Sequence, residues 1–163
     1  MNFELSEIGS DQLSAALSRR LPDAEFDSQC PDVTLRTDVE TLSQIVSSLI
    51  DNARTYGAQR VWVEYLAELP FHPMERVGSK PMDAFHLAIH DDGPGIDPEF
   101  LPRAFQKFEK NSPTSGTGLG LYMVSVMVKA LGASLDVTTG PDGTTMALAV
   151  PIVPAVLSSG VEL

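Results

Sequence analysis
The sequence predicts an α/β fold, a two-layer α/β sandwich in which helices pack against one face of a mixed, mostly antiparallel sheet. Behind Asp38, a good helix N-cap, apolar residues recur at helical spacing as far as Ala53. Residues 60–66 and 85–90 place large apolar side chains at every second position, as half-buried strands do. Glycine and proline within 140–143 indicate a turn between two further strands.

The remaining elements are predicted from the same patterns. Ser10 is placed to cap a helix that ends before Pro22, while Gly57 and Gly132 are placed to end the two later helices. Three prolines and a glycine within 69–83 predict a loop between strands. We expect one domain over 1–153 and a flexible tail over 154–163. The predicted strands are 3–8, 24–28, 33–36, 60–66, 85–90, 134–139 and 144–150. The predicted helices are 11–20, 39–56 and 119–131, with a helical turn at 98–108.

Composition limits the class of function. A net charge of −11 argues against nucleic-acid partners, because proteins that bind nucleic-acid phosphates normally present a basic face. Cys30 is the only cysteine, so no disulfide or cysteine metal site is expected. No apolar stretch approaches the ~20 residues of a membrane span, and no basic-then-apolar leader opens the chain. We expect a cytoplasmic domain, or the cytoplasmic part of a membrane-bound sensor, without direct membrane contact.

Residues 91–96, Asp-Asp-Gly-Pro-Gly-Ile, directly follow a predicted strand. A carboxylate at a strand end can accept a hydrogen bond from an exocyclic amine. Two glycines two residues apart let a flat ring approach the backbone. An ordinary acidic β-turn is the alternative interpretation of this segment.

Residues 116–121, Gly-Thr-Gly-Leu-Gly-Leu, directly precede a predicted apolar helix. Glycines at this spacing, followed by a helix N-terminus, can cradle a phosphate group. The third glycine comes too early for the dinucleotide-binding fingerprint, and no Gly-Lys-Ser/Thr follows as in a P-loop. A flexible linker is the alternative.

Asn52 lies at the edge of the apolar stripe of the long helix, with Ser48 about one turn before it. An amide oxygen is a hard ligand suited to Mg2+, although a solvated helix edge is the alternative. Phe105 and Phe108, ahead of a polar 111–118 loop, could anchor a mobile lid or simply pack in the core. The lysines beside them, Lys107 and Lys110, could meet phosphates.

The four segments taken in order are more specific than any one of them. An Asn-bearing helix, Asp-x-Gly-x-Gly, a phenylalanine pair and Gly-x-Gly-x-Gly before a helix resemble the N, G1, F and G2 boxes of the histidine kinase ATP-binding domain. That family shares the Bergerat fold with the gyrase, chaperone and mismatch-repair ATPases. The resemblance runs from about Phe3 to Pro151 and includes the last strand, from Gly143 to Pro151.

The resemblance implies ATP and Mg2+ as cofactors and a role for each matching residue. Asp91 would bind the adenine amino group, and Thr145 would support it through water. Asn52 would hold Mg2+ at the catalytic centre, and Ser48 would be a second, weaker contact there to the metal or to water. The other residues expected to contact the nucleotide are Tyr56, Gly93, Gly95, Ile96, Gly116, Thr117, Gly118, Leu119, Gly120 and Leu121, together with Lys107 and Lys110 named above.

Two positions depart from the family pattern. Histidine kinases usually carry a second Asn where this chain has Ser48, and Lys or Arg where it has Thr55; Arg54 is one residue out of register, about 100° around the helix. The ATPases of the fold carry Glu at the position of Ser48 as the general base for water, and serine cannot replace it at neutral pH. The departure favours phosphotransfer over hydrolysis.

The resemblance therefore implies a protein-histidine kinase domain that transfers the γ-phosphoryl group of ATP to a histidine on a separate dimerisation and phosphoacceptor domain. A response regulator in two-component signalling would be the indirect partner. His72, His86 and His90 are interpreted as structural or surface residues, and the isolated domain is expected to be a monomer. The alternatives are a non-catalytic nucleotide-dependent interaction module and a serine kinase of the anti-sigma type.

Overall fold
A computed structural model of the chain describes residues 4–107 and 120–153. Within these ranges the chain forms eight strands, three α-helices and one 3-10 turn. The strands are β1 (Ser6–Gly9), β2 (Glu25–Phe26), β3 (Thr34–Thr37), β4 (Val61–Leu66), β5 (Glu75–Gly78), β6 (Ala84–Asp91), β7 (Ser134–Gly140) and β8 (Gly143–Pro151). The helices are α1 (Ser10–Arg20), α2 (Val39–Thr55) and α3 (Gly120–Ala130), and the 3-10 turn is Leu101–Arg103.

Six strands form one sheet in the order β2-β4-β6-β8-β7-β5. Only the β2–β4 pair is parallel, and the other four pairs are antiparallel. β1 and β3 pair separately as a two-stranded antiparallel sheet. This arrangement confirms the predicted two-layer sandwich with a mixed, mostly antiparallel sheet.

One face of the large sheet packs against the helices and forms the core. The apolar stripe of α2 supplies several fully or nearly fully buried side chains, and each such side chain stabilises the fold by roughly 1.5–3 kcal/mol. Every second residue of the central strands faces the same layer, as the period of a strand requires. Core residues from α2 and the strands include Leu42, Ile45, Val46, Leu49, Val63, Leu87, Leu135, Val137, Met146 and Leu148.

The ends of α2 lie where the sequence predicts them. The Asp38 carboxylate caps the helix by accepting a hydrogen bond from the Thr41 backbone N–H at 3.2 Å. At the other end the Gly57 N–H donates to the Arg54 carbonyl, two residues after Thr55, the last helical residue. These two ends place Asn52 in the last turn of α2, beside the end of β6.

Three expectations about local structure were wrong in detail. Ser10 is the first residue of α1 and Gly9 is its N-cap, because the Ser10 hydroxyl instead donates to the Pro31 carbonyl and accepts from the Val33 N–H. The 69–83 segment contains strand β5, which pairs with β7 at the sheet edge. The helical turn expected over 98–108 is confined to Leu101–Arg103 among the residues described. The 111–118 loop and the 154–163 tail lie outside the described residues.

The face of the sheet away from the helices, called here the outer face, is crossed by the chain between β4 and β5. These two strands lie on opposite sides of β6, β8 and β7, so the connection must pass over all three. A cavity of about 570 Å³ lies between this connection and His86, whose Nδ1 atom donates to the Ala67 carbonyl. The Arg76 guanidinium of β5 pairs there with the fully buried Asp136 carboxylate.

None of the helices in the described ranges combines the length and apolar character needed to cross a membrane.

Candidate nucleotide-binding site
A pocket opens on the helix side of the sheet, between the last turn of α2, the loop that follows β6, and the start of β8. Helix α2 contributes one wall, and the strands contribute the floor. The loop after β6 closes the remaining side. Its twelve lining residues are Leu49, Asn52, Ala53, Tyr56, Ile89, Asp91, Gly93, Pro94, Gly95, Ile96, Thr144 and Met146.

The Asp91 carboxylate is held by one of its two oxygens. Its Oδ1 atom accepts hydrogen bonds from the backbone N–H groups of Gly93 at 2.8 Å and Thr144 at 3.3 Å. Among the described residues, no protein group bonds to Oδ2. Burial raises the pKa of Asp91 above its usual range, and the two backbone donors only partly offset that effect. The pocket therefore contains a fixed, partly desolvated hydrogen-bond acceptor.

The neighbouring carboxylate, Asp92, makes its contacts outside the pocket. It is exposed, and its Oδ1 atom accepts from the backbone N–H groups of Gln59 at 2.8 Å and Arg60 at 2.9 Å. The Arg60 backbone hydrogen bond is the main cause of the lowered pKa of Asp92. Asp92 thus anchors the loop to the start of β4, while Asp91 faces the pocket.

Two glycines allow backbone segments to approach each other beside Asp91. Gly95 has a φ of 87°, and a Cβ atom there would collide with the Gly140 carbonyl. Gly143 has a φ of 147°, and a Cβ atom there would collide with the Asp91 carbonyl. The β7–β8 turn can therefore press against the loop after β6 only with glycine at both positions.

Asn52 fits a role as a metal ligand that shares the ion with a bound nucleotide. Its half-buried side chain lines the pocket, and its amide makes no hydrogen bond to another described residue. The described residues contain no group of three or more His, Cys, Asp or Glu side chains that could hold a metal. An amide oxygen together with phosphate oxygens and waters is the kind of ligand set that Mg2+ accepts. Ser48 is half-buried one turn earlier and does not line the pocket.

The structure brings six of the predicted nucleotide-site residues together in this pocket: Asn52, Tyr56, Asp91, Gly93, Gly95 and Ile96. Gly120 and Leu121 begin α3, where Leu121 packs into the core. The Lys107 ammonium lies 6.0 Å from the centre of the Tyr122 ring. Lys110, Gly116, Thr117, Gly118 and Leu119 lie outside the described residues.

Thr145 is not in the pocket, which corrects the expectation that it supports Asp91. Strand pairing places Thr144 opposite Asp91 and Thr145 opposite His90. The Thr145 hydroxyl lies 2.8 Å from His90 Nδ1, on the outer face, whereas Thr144 lines the pocket. Successive residues of a strand point to opposite faces, so a shift of one position moves a side chain across the sheet.

Most of the apolar wall of the pocket was not predicted from the sequence. Leu49 and Ala53 lie one turn apart on α2, on the same face as the predicted Tyr56, so the helical spacing could have predicted a wall beside Asn52. Ile89 lies two residues before Asp91 and therefore faces the same side of β6. By the same rule Met146 follows Thr144 on β8, once the register of that strand is known.

Comparison with known proteins agrees with this geometry. Residues 37–154 match the sequence model of the family described as histidine kinase-, DNA gyrase B-, and HSP90-like ATPases. The sensor histidine kinase TrcS of Mycobacterium tuberculosis is 34% identical over 125 residues, which cover 74% of this chain and 23% of TrcS. The chain thus spans about a quarter of that relative.

Solved structures show the same fold. The mycobacterial sensor histidine kinase MprB superimposes with a TM-score of 0.64 at 26% identity, over 93% of this chain and 99% of the MprB chain. Full-length ShkA in complex with AMPPNP gives a TM-score of 0.66 at 22% identity, over 95% of this chain and 32% of ShkA.

The chain belongs to the family of histidine kinase-, DNA gyrase B- and HSP90-like ATPases. Within that family its relatives are sensor histidine kinases, and it corresponds to their ATP-binding catalytic domain.

Proposed function
We propose that this domain binds ATP with Mg2+ and transfers the γ-phosphoryl group to a histidine on a separate dimerisation and phosphoacceptor domain. The observation that carries the proposal is the Asp91 carboxylate, whose Oδ1 is held by Gly93 and Thr144 while Oδ2 has no partner among the described residues. Adenine carries an amine donor at the position where guanine carries a carbonyl acceptor. A carboxylate accepts from the first and repels the second, so the pocket selects adenine.

Asn52 is the residue that would hold Mg2+ against the nucleotide phosphates. It lies one helical turn before Tyr56, in the pocket that Asp91 also lines. When bound, Mg2+ would neutralise part of the charge that develops on the transferring phosphoryl group. Asn52 itself would fix the orientation of the phosphate tail relative to the adenine end.

The pocket favours phosphoryl transfer over hydrolysis. Among the described residues that line it, Asp91 is the only carboxylate, and the proposed adenine contact uses it. Ser48, where the related ATPases carry a glutamate, has no carboxylate to take a proton from water. A neutral imidazole needs no such base, because its unprotonated nitrogen is already a nucleophile.

The acceptor histidine would come from another domain. The chain has three histidines, and His90 is hydrogen-bonded between Thr145 and Glu64 on the outer face, opposite the pocket. His86 is buried on the same outer face, and His72 lies in the connection between β4 and β5. The greater length of TrcS supports the presence of such a domain in the relatives.

Phosphotransfer in trans tests the proposal. The domain is incubated with γ-labelled ATP, Mg2+ and a dimeric helical fragment that carries an acceptor histidine. We expect label on the fragment that is lost in acid and kept in alkali, and we expect it to depend on Mg2+. Asn52→Ala should abolish transfer more than it weakens nucleotide binding, whereas Gln44→Ala, on the exposed side of α2, should leave both unchanged.

Two other results would reject histidine transfer. Acid-stable label would indicate a serine kinase. Nucleotide binding without label on the acceptor would indicate a non-catalytic interaction module. The position of Ser48 outside the pocket lining favours the non-catalytic module, because among the described residues of α2 that line the pocket Asn52 is then the only one with a polar side chain to hold a metal.

A further inference from the structure
The Thr139 hydroxyl, in the second-last residue of β7, lies between two segments that shape the nucleotide pocket. Its Oγ1 atom accepts a hydrogen bond from the Ile96 backbone N–H at 2.8 Å. The same atom lies 2.8 Å from the Thr144 hydroxyl, so one of these two hydroxyls donates to the other. Thr144 in turn donates its backbone N–H to Asp91 Oδ1. The pair of threonines therefore connects Ile96 to Asp91, the two ends of the loop after β6.

From these contacts we infer that Thr139 is a positioning residue that fixes the loop 91–96 in the shape that recognises the nucleotide base. The inference rests on the proposed adenine site. Thr139 is not among the residues that line the pocket, so it would act through Ile96 and Thr144 rather than by touching the nucleotide.

The contacts along the loop show why one hydroxyl matters. The start of the loop is anchored to β4 through the Asp92 N–H and carboxylate. After Gly93 the loop runs through Pro94, which has no N–H to donate, and Gly95, for which the structure shows no backbone hydrogen bond. Among the described residues, the Ile96–Thr139 bond is thus the hydrogen bond that ties the second half of the loop to the sheet.

Packing reinforces the same contact. A Cβ atom on Gly95 would lie 3.0 Å from Thr139 Oγ1 and would collide with the Gly140 carbonyl. The end of β7 and the loop are therefore in close contact without room for a bridging water. If the hydroxyl is lost, the N–H of the half-buried Ile96 loses its one acceptor among the described residues, and the loop must shift for that group to find another.

Paired substitutions separate the hydroxyl from the bulk of the side chain. Thr139→Val keeps the shape and removes the hydroxyl, whereas Thr139→Ser keeps the hydroxyl. Thr138→Val, on the adjacent outer-face residue, is the matched control. The measurements are ATP and GTP affinity by calorimetry, and hydrogen exchange of the Ile96 amide without nucleotide.

We expect Thr139→Val to weaken ATP binding about three- to tenfold, the loss of one neutral hydrogen bond. It should also reduce the preference for ATP over GTP and accelerate exchange at Ile96. Thr139→Ser and Thr138→Val should each match the wild type in all three properties. A role in stability alone would lower the thermal midpoint without changing the ATP-to-GTP ratio.

Two results would overturn the inference. One is wild-type affinity and base preference in Thr139→Val. The other is an equal loss in Thr139→Val and Thr139→Ser, which would assign the effect to packing. If Thr139→Val does not fold, Thr139→Ala in the same assays takes its place. If the wild-type protein does not prefer ATP, the proposed adenine site fails, and exchange at Ile96 still decides whether Thr139 holds the loop.

Discussion
Replacing Asp91 with asparagine tests the site with little change of shape. The side-chain amide oxygen can take the place of Oδ1 and accept from Gly93 and Thr144, so the loop keeps its two hydrogen bonds. The amide nitrogen then occupies the position of Oδ2, where it presents a donor to the adenine amine, which is also a donor. The variant therefore removes the proposed base contact selectively.

Two effects of opposite sign are expected. Loss of a charge-assisted hydrogen bond of roughly 1.5–3 kcal/mol should weaken ATP and ADP binding by about 10- to 150-fold. The stability of the free protein should rise at neutral pH, because burial raises the pKa of Asp91 and the fold therefore favours a neutral group there. The folded state binds a proton more tightly than the unfolded state at this site, so the stability advantage of Asp91→Asn should shrink as the pH falls through the raised pKa.

Calorimetric titration with ATP, ADP and GTP measures the first effect, and denaturant unfolding at several pH values measures the second. Asp92→Asn is the control, because hydrogen bonds from Arg60 and Gln59 lower the pKa of that exposed carboxyl. It should therefore lose stability where Asp91→Asn gains it. The reasoning fails if wild-type protein binds GTP as well as ATP, or if Asp91→Asn binds ATP within about twofold of the wild type.

Other predictions concern two ion pairs and two glycines with positive φ. Arg76→Ala should lower the free energy of unfolding by about 1–3 kcal/mol, because it leaves the fully buried Asp136 carboxylate without its partner. Arg60→Ala breaks an exposed pair and should cost less than about 1 kcal/mol in the same denaturant titration; equal losses would contradict this difference. Gly95→Ala should cost about 1–3 kcal/mol and impair ATP binding, since it combines a positive φ with a backbone collision. Gly132→Ala, with a φ of 69° and open space around it, should leave ATP binding unchanged.

The fold was predictable from periodicity wherever an element buries a full face. Helix α2 and strands β4 and β6 each place many apolar residues on one side, and their positions were confirmed. Strand β5 was missed because it has four residues and one buried side chain, Val77. It pairs with β7 about 60 residues later in the chain, a contact that leaves no local pattern.

The pocket residues likewise divide into those that a local motif predicts and those that depend on distant contacts. Asp91, Gly93 and Gly95 were predictable because a short motif places them after a strand. Thr144 was not predicted, because two adjacent threonines look alike until strand pairing decides which one faces Asp91. The role of Thr139 depends on a contact with Ile96 across 43 residues, which only the folded chain brings together.

Because Ser48 provides no general base, we expect the isolated domain to bind ATP but to hydrolyse it slowly. The expected rate is far below about one turnover per second, which is an ordinary enzyme rate. Ser48 lies one turn before Asn52 on α2, the place from which a longer acidic side chain could reach a water beside the phosphates. Ser48→Glu should therefore increase ATP hydrolysis, and Ser48→Gln, of the same length without a base, should not. Phosphate release measured with all three proteins decides the matter. Wild-type turnover near one per second would move the protein to the hydrolytic branch of the family. Equal rates for the Glu and Gln variants would show that a base at this position does not reach the attacking water.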